Sequence, residues 1–299
     1  MSDSADILNA FKGIESVLRQ SMETDFWYGL PERHFDQVLG WVLDQGSHGS
    51  PERRPTSTGK QNRFPSWSWV GWISGASLGT YFPTKEHRSE IHWFLINDKG
   101  VAFRLSTVAS NAIIDYHKDG NKDVSVAPPP WDGCSPPSWK GRDMFSRIVP
   151  RVKAPTDEEE WRFPRYLACK NALATFQLDG QVQSLNGHGR LWEHNANLVI
   201  WAADGTRAGS IMMSRIFAAK VSDEPRFFEF ILVTRLKRSR SHMTHVAYFD
   251  ESIYPNRDWC HLSVMMIERE GTVAQRIGVG IVHEDAWVNA NPRITFIKL

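Results

Sequence analysis

The sequence predicts an α+β protein: two N-terminal helices packed on a mainly antiparallel β body, a sandwich or distorted barrel, with short helices inserted. Three observations predict it. Residues 6–20 (DILNAFKGIESVLRQ) repeat apolar side chains at helical spacing, whereas beyond residue 64 the apolar period drops to two. Strand-like runs then follow one another without regular helical crossovers, which argues against a parallel α/β arrangement. The 299-residue chain is 41% hydrophobic and 23% charged, enough to bury a sizeable core, and we read 1–299 as a single domain.

In chain order, Ile7, Phe11, Ile14 and Leu18 form one helical stripe, with Leu8 and Val17 beside it and Asp6 as N-cap. TDFWYGLP then reads as a packed aromatic turn. A second helix is expected near Pro31, a residue suited to a first helical position, with Phe35, Val38, Leu39 and Val42 facing inward; the helical segment is 1–43. Residues 44–63 carry almost nothing apolar and read as a mobile surface loop. The β-rich body is 64–299. It opens on FPSWSWVGW (64–72), which holds three of the chain's 13 tryptophans. In an extended chain Trp67 and Trp69 share one face, while Phe64, Val70 and Trp72 share the other. Bulky groups on both faces predict a strand buried on both sides rather than a ligand platform, with Trp67 and Trp69 packed on the helices near Trp41.

EIHWFLIN (90–97) and VAFRLSTVA (101–109) read as a hairpin, and the Pro-rich stretch from about 115 to 160 as an irregular excursion. Strand signals return at 171–179, 197–204, 209–221, 226–236 and 244–250. HLSVMMIERE and TVAQRIGVGIV form a hairpin pattern around Gly271; HEDAWVNANP is a short helix stopped before Pro292, and RITFIKL a closing strand.

Composition narrows the function classes. Lys+Arg 35 against Asp+Glu 34 gives a net charge of +1, which argues against a dedicated nucleic-acid binder. The apolar runs are too short to span a bilayer, and the N-terminus lacks the features of a secretory signal. Three widely spaced cysteines (Cys134, Cys169, Cys260) and no Asn-x-Ser/Thr sequon fit free thiols in a cytoplasmic protein.

Local motifs yield bland readings. GASLG (75–79) matches G-x-S-x-G with Ser77 in the nucleophile position, but Pro83 follows and no helical stripe does; it reads as a Gly/Ser turn, and a serine hydrolase is the weakest alternative. His242, His245, Cys260 and His261 are metal-ligand types at no standard zinc spacing, and Cys260 and His261 are expected on opposite sides of a strand. GVGIVH (278–283) is a strand interior in which Gly278 and Gly280 mark a bend or a close backbone approach, not a dinucleotide loop. The basic run Arg235–Arg240 reads as a charged, solvent-exposed hairpin tip. No catalytic, cofactor or metal residue is assigned.

DILNAFKGIESVL, FWYGLPERHFDQVLGW, a polar loop and then RFPSWSWVGW together resemble the region downstream of the HET domain in fungal heterokaryon-incompatibility proteins. IWAADGTRAGSI, FFEFILVTR and RIGVGIVHEDAWVNANPRITFIKL are similar to distal segments of that family in the same order. The resemblance implies structural signature positions at Trp27, Gly29, Leu30, Pro31, Phe64, Pro65, Trp67, Trp69, Gly71, Trp72, Gly278, Gly280 and Trp287. The HET domain's own "Y-ALSY-WG" motif has no counterpart here, so no activity of that domain carries over. What the resemblance implies is a non-enzymatic or truncated member acting in nonself recognition or regulation through a protein partner, such as a HET-domain protein, with no cofactor, metal, nucleic acid or membrane. The alternative from the residues themselves is a small-ligand or carbohydrate-binding β module that uses its tryptophans.

Overall fold

The computed structural model describes residues 6–44, 53–54, 64–73, 75–78, 87–97, 100, 102–105, 166–183, 195–237 and 248–299, without the side chains of residues 6, 43, 44, 75, 77 and 78. The loop read at 44–63, apart from Asp44 and Arg53–Arg54, and the excursion read at 115–160 lie outside them. So do most of the strand read at 244–250, along with Cys134, His242 and His245.

The architecture is α+β. Helix α1 (Asp6–Met22) precedes a two-residue ladder of β1 (Phe26–Trp27) with β2 (Leu30–Pro31), a 3-10 turn (Glu32–His34) and the one-turn helix α2 (Phe35–Val38). β3 (Trp41–Asp44) pairs antiparallel with β4 (Gly75–Leu78). The second helix is therefore shorter than its pattern predicts, and Val42 belongs to a strand. GASLG likewise corrects: 75–78 is a strand whose Ser77 pairs with Val42, neither a turn nor a strand-to-helix elbow.

The main sheet comprises β5 (His87–Ser89), β6 (His92–Ile96), β7 (Ala102–Arg104), β8 (Tyr166–Leu178), β9 (Val182–Gln183), β10 (Asn195–Trp201), β11 (Arg207–Ser214), β12 (Arg226–Leu236), β13 (His261–Glu270), β14 (Val273–His283) and β15 (Arg293–Lys298). The antiparallel ladder between β12 and β8 closes β12-β13-β14-β11-β10-β8 into a six-stranded ring, so the body is a distorted barrel. Closure removes the exposed edges that an open sheet would leave. β8 changes partners along its length: its first half lies between β6 and β15, its second between β12 and β10. Helix α3 (Arg215–Asp223) follows β11 directly, so the segment 209–221 is half strand and half helix. Ser214 makes the switch as N-cap, its Oγ accepting from Phe217 N–H at 3.0 Å. Helix α4 (Glu284–Asn289) and β15 stand where the sequence places them.

β13 is buried on both faces from His261 to Ile267, because one face fills the barrel and the other is covered. Phe176, Phe230 and Trp287 meet in the interior, with ring centroids 5.7 and 6.0 Å apart. One hydrophobic cluster runs from Leu30 and Phe35 through the barrel to Leu299.

FPSWSWVGW is not a strand. Residues 64–68 turn, and Trp69–Gly71 is a 3-10 helix capped by Ser68, whose Oγ accepts from Val70 N–H at 3.3 Å and donates to the Tyr28 carbonyl at 2.7 Å. Folding back sends the indoles to different neighbours. Trp67 is fully buried, edge-on to Tyr28 (5.4 Å) and Phe35 (5.7 Å), and its carbonyl accepts from Trp41 Nε1 at 3.0 Å. Trp69 is half-buried against Phe11 of α1, 5.9 Å between centroids, and against Gly29. Gly29 has φ +78, and a Cβ there would lie 2.8 Å from the Trp69 ring. Both requirements exclude a side chain at that position. Arg54 holds the far end, with Nη2 on the Trp72 carbonyl at 2.8 Å and Nε on that of Val70 at 3.1 Å.

Helix α1 departs from its predicted stripe. Ile7, Phe11, Glu15, Leu18 and Met22 are half-buried, whereas Ile14 and Val17 are 59% and 65% exposed. The inward face is centred on Phe11, Leu18 and Met22 and extends toward Glu15; Ile14, although three residues from Phe11, falls on its opposite edge, and Val17 lies beyond that.

Candidate functional site

A cavity of about 380 Å³ lies where β14, the end of β11 and α3 meet Val42 and Trp72 of the N-terminal region. Its apolar wall comes from Val42, Trp72, Met212, Met213, Phe217 and Val279, and its polar groups include Asn195 and Ser214. Lys220, Arg226 and Glu268 are exposed and form its rim. Arg226 and Glu268 face each other across that rim at 3.4 Å. Gly278 widens it: a Cβ there would lie 2.5 Å from Met213 Sδ, so the glycine gives Met213 its place in the wall.

The unusual member is Arg276, which is 3% exposed. Its backbone N–H donates to Ser66 Oγ at 3.0 Å. Nη2 donates to the Leu39 carbonyl at 3.4 Å and to that of Trp41, and the guanidinium lies 3.8 Å from the Trp41 ring centroid. Nε has no hydrogen-bond partner, and no carboxylate among the described residues pairs with the guanidinium. Burial pushes its pKa down to about 9, so it stays charged at neutral pH. The carbonyls and the indole face offset part of the desolvation cost of this buried cation, and the rest is uncompensated.

A second polar centre lies at the end of β12. Arg235, read from sequence as the start of an exposed basic tip, is 2% exposed instead. It donates to Glu90 at 3.2 Å, to Glu284 at 2.6 Å and to the Trp259 carbonyl at 2.9 Å. Glu90 also pairs with Arg88, and Arg257 reaches Glu284 at 3.2 Å and Asp285 at 2.6 Å. The physical reason is local: Arg235 is still inside the sheet, opposite Leu262 and Arg88, and two acids meet it there. The remainder of the run, from residue 238, lies outside the described residues. His283 is fully buried beside this network and caps α4, accepting from Asp285 N–H at 3.0 Å while its other nitrogen lies 3.1 Å from the Pro255 carbonyl; burial holds its pKa below the usual value.

Cys260 and His261 do not diverge as a strand pair would. The strand begins only at His261, Trp259 takes a left-handed φ of 66, and Cys260 Sγ lies 3.5 Å from His261 Nδ1. Burial pushes the Cys260 thiol up to about 11, which keeps it protonated. Among the described residues no group of three or more His, Cys, Asp or Glu side chains is placed to hold a metal ion, and no helix is long and apolar enough to cross a membrane.

Most signature positions are scaffold. Leu30, Pro31, Phe64, Trp67, Gly71 and Trp287 are buried, and Trp27 donates from Nε1 to Glu32 at 2.9 Å. Gly280 approaches Ser210 of β11, where a Cβ would lie 2.5 Å from the carbonyl oxygen, the close approach expected from sequence. Pro65, half-buried, offers its carbonyl to Ser68 N–H at 3.3 Å. Of the whole set, Trp72 and Gly278 line the cavity. The other lining residues escaped sequence reasoning, since they come from segments as far apart as Val42 and Val279. The one local signal was an arginine in a strand whose neighbours Ala274 and Gly278 are small or apolar. Comparison with protein-family models, with curated proteins and with solved structures finds no match for the chain, so the cavity has to be judged on its own chemistry.

Proposed function

We propose that this chain is a small-ligand-binding β module and that the cavity beside Trp72 and Arg276 is its site. The observation that carries the reading is the cavity itself: about 380 Å³, walled by aromatic and thioether side chains, with a few polar groups converging on it. That combination is the usual make-up of a small-molecule site, which spans roughly 300–1,000 Å³. Burial of Trp67 speaks for an enclosed site rather than an open tryptophan platform for carbohydrate.

Methionine supplies the test. With ¹³C-methyl labelling, fragments that bind are expected to shift the Met212 and Met213 methyl resonances ahead of that of Met22 on α1, which does not line the cavity. A broad fragment set that leaves Met212 and Met213 unmoved overturns the reading.

A second reading is favoured by the exposed Ile14 and Val17, an apolar pair one turn apart on α1. It is the function the family resemblance implies: docking of a HET-domain protein partner in nonself recognition. Co-expression with a HET-domain protein is expected to give a co-purifying complex that the double substitution Ile14→Asp, Val17→Asp abolishes. Equal recovery by both chains speaks against it.

A further inference from the structure

We propose that the ligand of this cavity is an amphipathic organic anion: a flat apolar body held between Trp72, Met212 and Phe217, with a carboxylate-like group read by Arg276. The inference rests on the cavity being a ligand site and adds the class of ligand.

Charge is the first ground. Three cationic side chains and one carboxylate line the space, and the carboxylate, Glu268, already faces Arg226 at the rim. Arg276 and Lys220 are left without a carboxylate among the described residues. Geometry is the second ground. The Arg276 guanidinium is buried in the wall, its Nη2 is engaged by the Leu39 and Trp41 carbonyls, and its Nε–H has no partner. A buried cation without a counter-charge is costly, and an anion that reaches it through a charge-assisted hydrogen bond recovers that cost on binding. Trp41, stacked on the guanidinium, and the two carbonyls fix its plane beforehand, so little side-chain freedom is lost on binding.

Size is the third ground. About 380 Å³ holds about a dozen waters at roughly 30 Å³ each, which matches an organic acid of about that many non-hydrogen atoms. Beyond Arg276 the wall is mostly apolar, from Val42, Trp72, Met212, Met213, Phe217 and Val279, and a small inorganic anion would leave it unfilled. Lys220 at the rim adds attraction for the approaching anion, an effect that added salt screens.

The experiment is calorimetric titration with 2-naphthoate and its neutral isostere 2-naphthamide. The wild-type chain is expected to bind naphthoate about tenfold or more tightly than naphthamide. Arg276→Met is expected to bring the two affinities within about twofold of each other. Lys220→Ala, at an exposed rim position, is expected to narrow the preference for naphthoate over naphthamide about threefold. Should Arg276→Met fail to fold by circular dichroism, Lys220→Ala and the salt dependence of naphthoate affinity in the wild-type chain decide the question. Naphthamide binding as tightly as naphthoate overturns the anion inference and leaves the ligand site standing. A naphthoate preference that survives in folded Arg276→Met overturns the assignment of Arg276. If neither compound binds or moves the Met212 and Met213 methyl resonances, the anion inference fails together with the site.

Discussion

Replacing Arg235 by methionine is expected to lower the stability of the fold by roughly 3–5 kcal/mol, the usual range when one member of a buried ion pair is removed. The chain loses the bonds to Glu90, Glu284 and the Trp259 carbonyl. Most of the effect comes from what stays behind. Glu90 has a side chain only 1% exposed, so its carboxylate would lose the Arg235 pairing where water cannot replace it, while the pairing with Arg88 stays. Glu284 sits nearer solvent at 17% and retains Arg257, so its share is smaller. Urea unfolding measures the loss. The companion substitution Glu90→Gln should recover a large part of it in the Arg235→Met background, although it destabilises the wild-type chain. A loss below about 1 kcal/mol, or equal effects of Glu90→Gln in both backgrounds, would show that solvent reaches this network.

The second large effect depends on pH. Asp36 is 1% exposed; one carboxylate oxygen accepts from Trp93 Nε1 at 2.6 Å and the other has no partner. Burial raises its pKa to about 6 from an ordinary 3.8, against the opposing pull of the Ser89 and Trp93 hydrogen bonds. The folded chain therefore holds a proton between about pH 4 and pH 6 that the unfolded chain has released. The contribution is fully present below pH 4 and is lost as pH rises through 6, with a total of ~3 kcal/mol at 1.36 kcal/mol per unit. His87, next to Gln37, works the other way: burial lowers it to about 4, so its stabilisation is present above its unfolded pKa and is lost as pH falls. The two nearly cancel in the wild-type profile. The difference between wild type and Asp36→Asn separates them, because the amide keeps the acceptor for Trp93 and cannot ionise. The variant is expected to gain ~3 kcal/mol on the wild type between pH 4 and pH 7. A difference that stays flat with pH would mean that Asp36 titrates as an ordinary exposed carboxylate.

Legibility followed the range over which each signal acts. The β13–β14 hairpin, α4 and β15 were readable because alternation, a turn glycine and a stopping proline all lie within a few residues of one another. FPSWSWVGW misled because its aromatic alternation imitates a strand. Its chain reversal is set by Ser68, whose hydroxyl bonds to Tyr28, forty positions away, and by the Arg54 guanidinium. The change from β11 to α3 carried a usable cue in Ser214, an N-cap serine followed by Ala218, Ala219 and Lys220, which the apolar run before it obscured. Arg235 reads as a surface charge and Arg276 draws no reading at all, since sequence shows the charge but not the surroundings that hold it. The cavity was invisible for the same reason: its wall exists only after the barrel closes and the N-terminal segment folds over β14.

The contact between Gly29 and Trp69 has a consequence beyond stability. WYGLPE and FPSWSW look like separate words along the chain, yet the indole of one occupies the space that a side chain in the other would need. Neither can drift alone: a larger residue at 29 is tolerable only with a smaller one at 69 and a backbone that no longer needs the left-handed turn. Among descendants of this chain the two words should therefore be kept or lost together, and a graft carrying one without the other should not take.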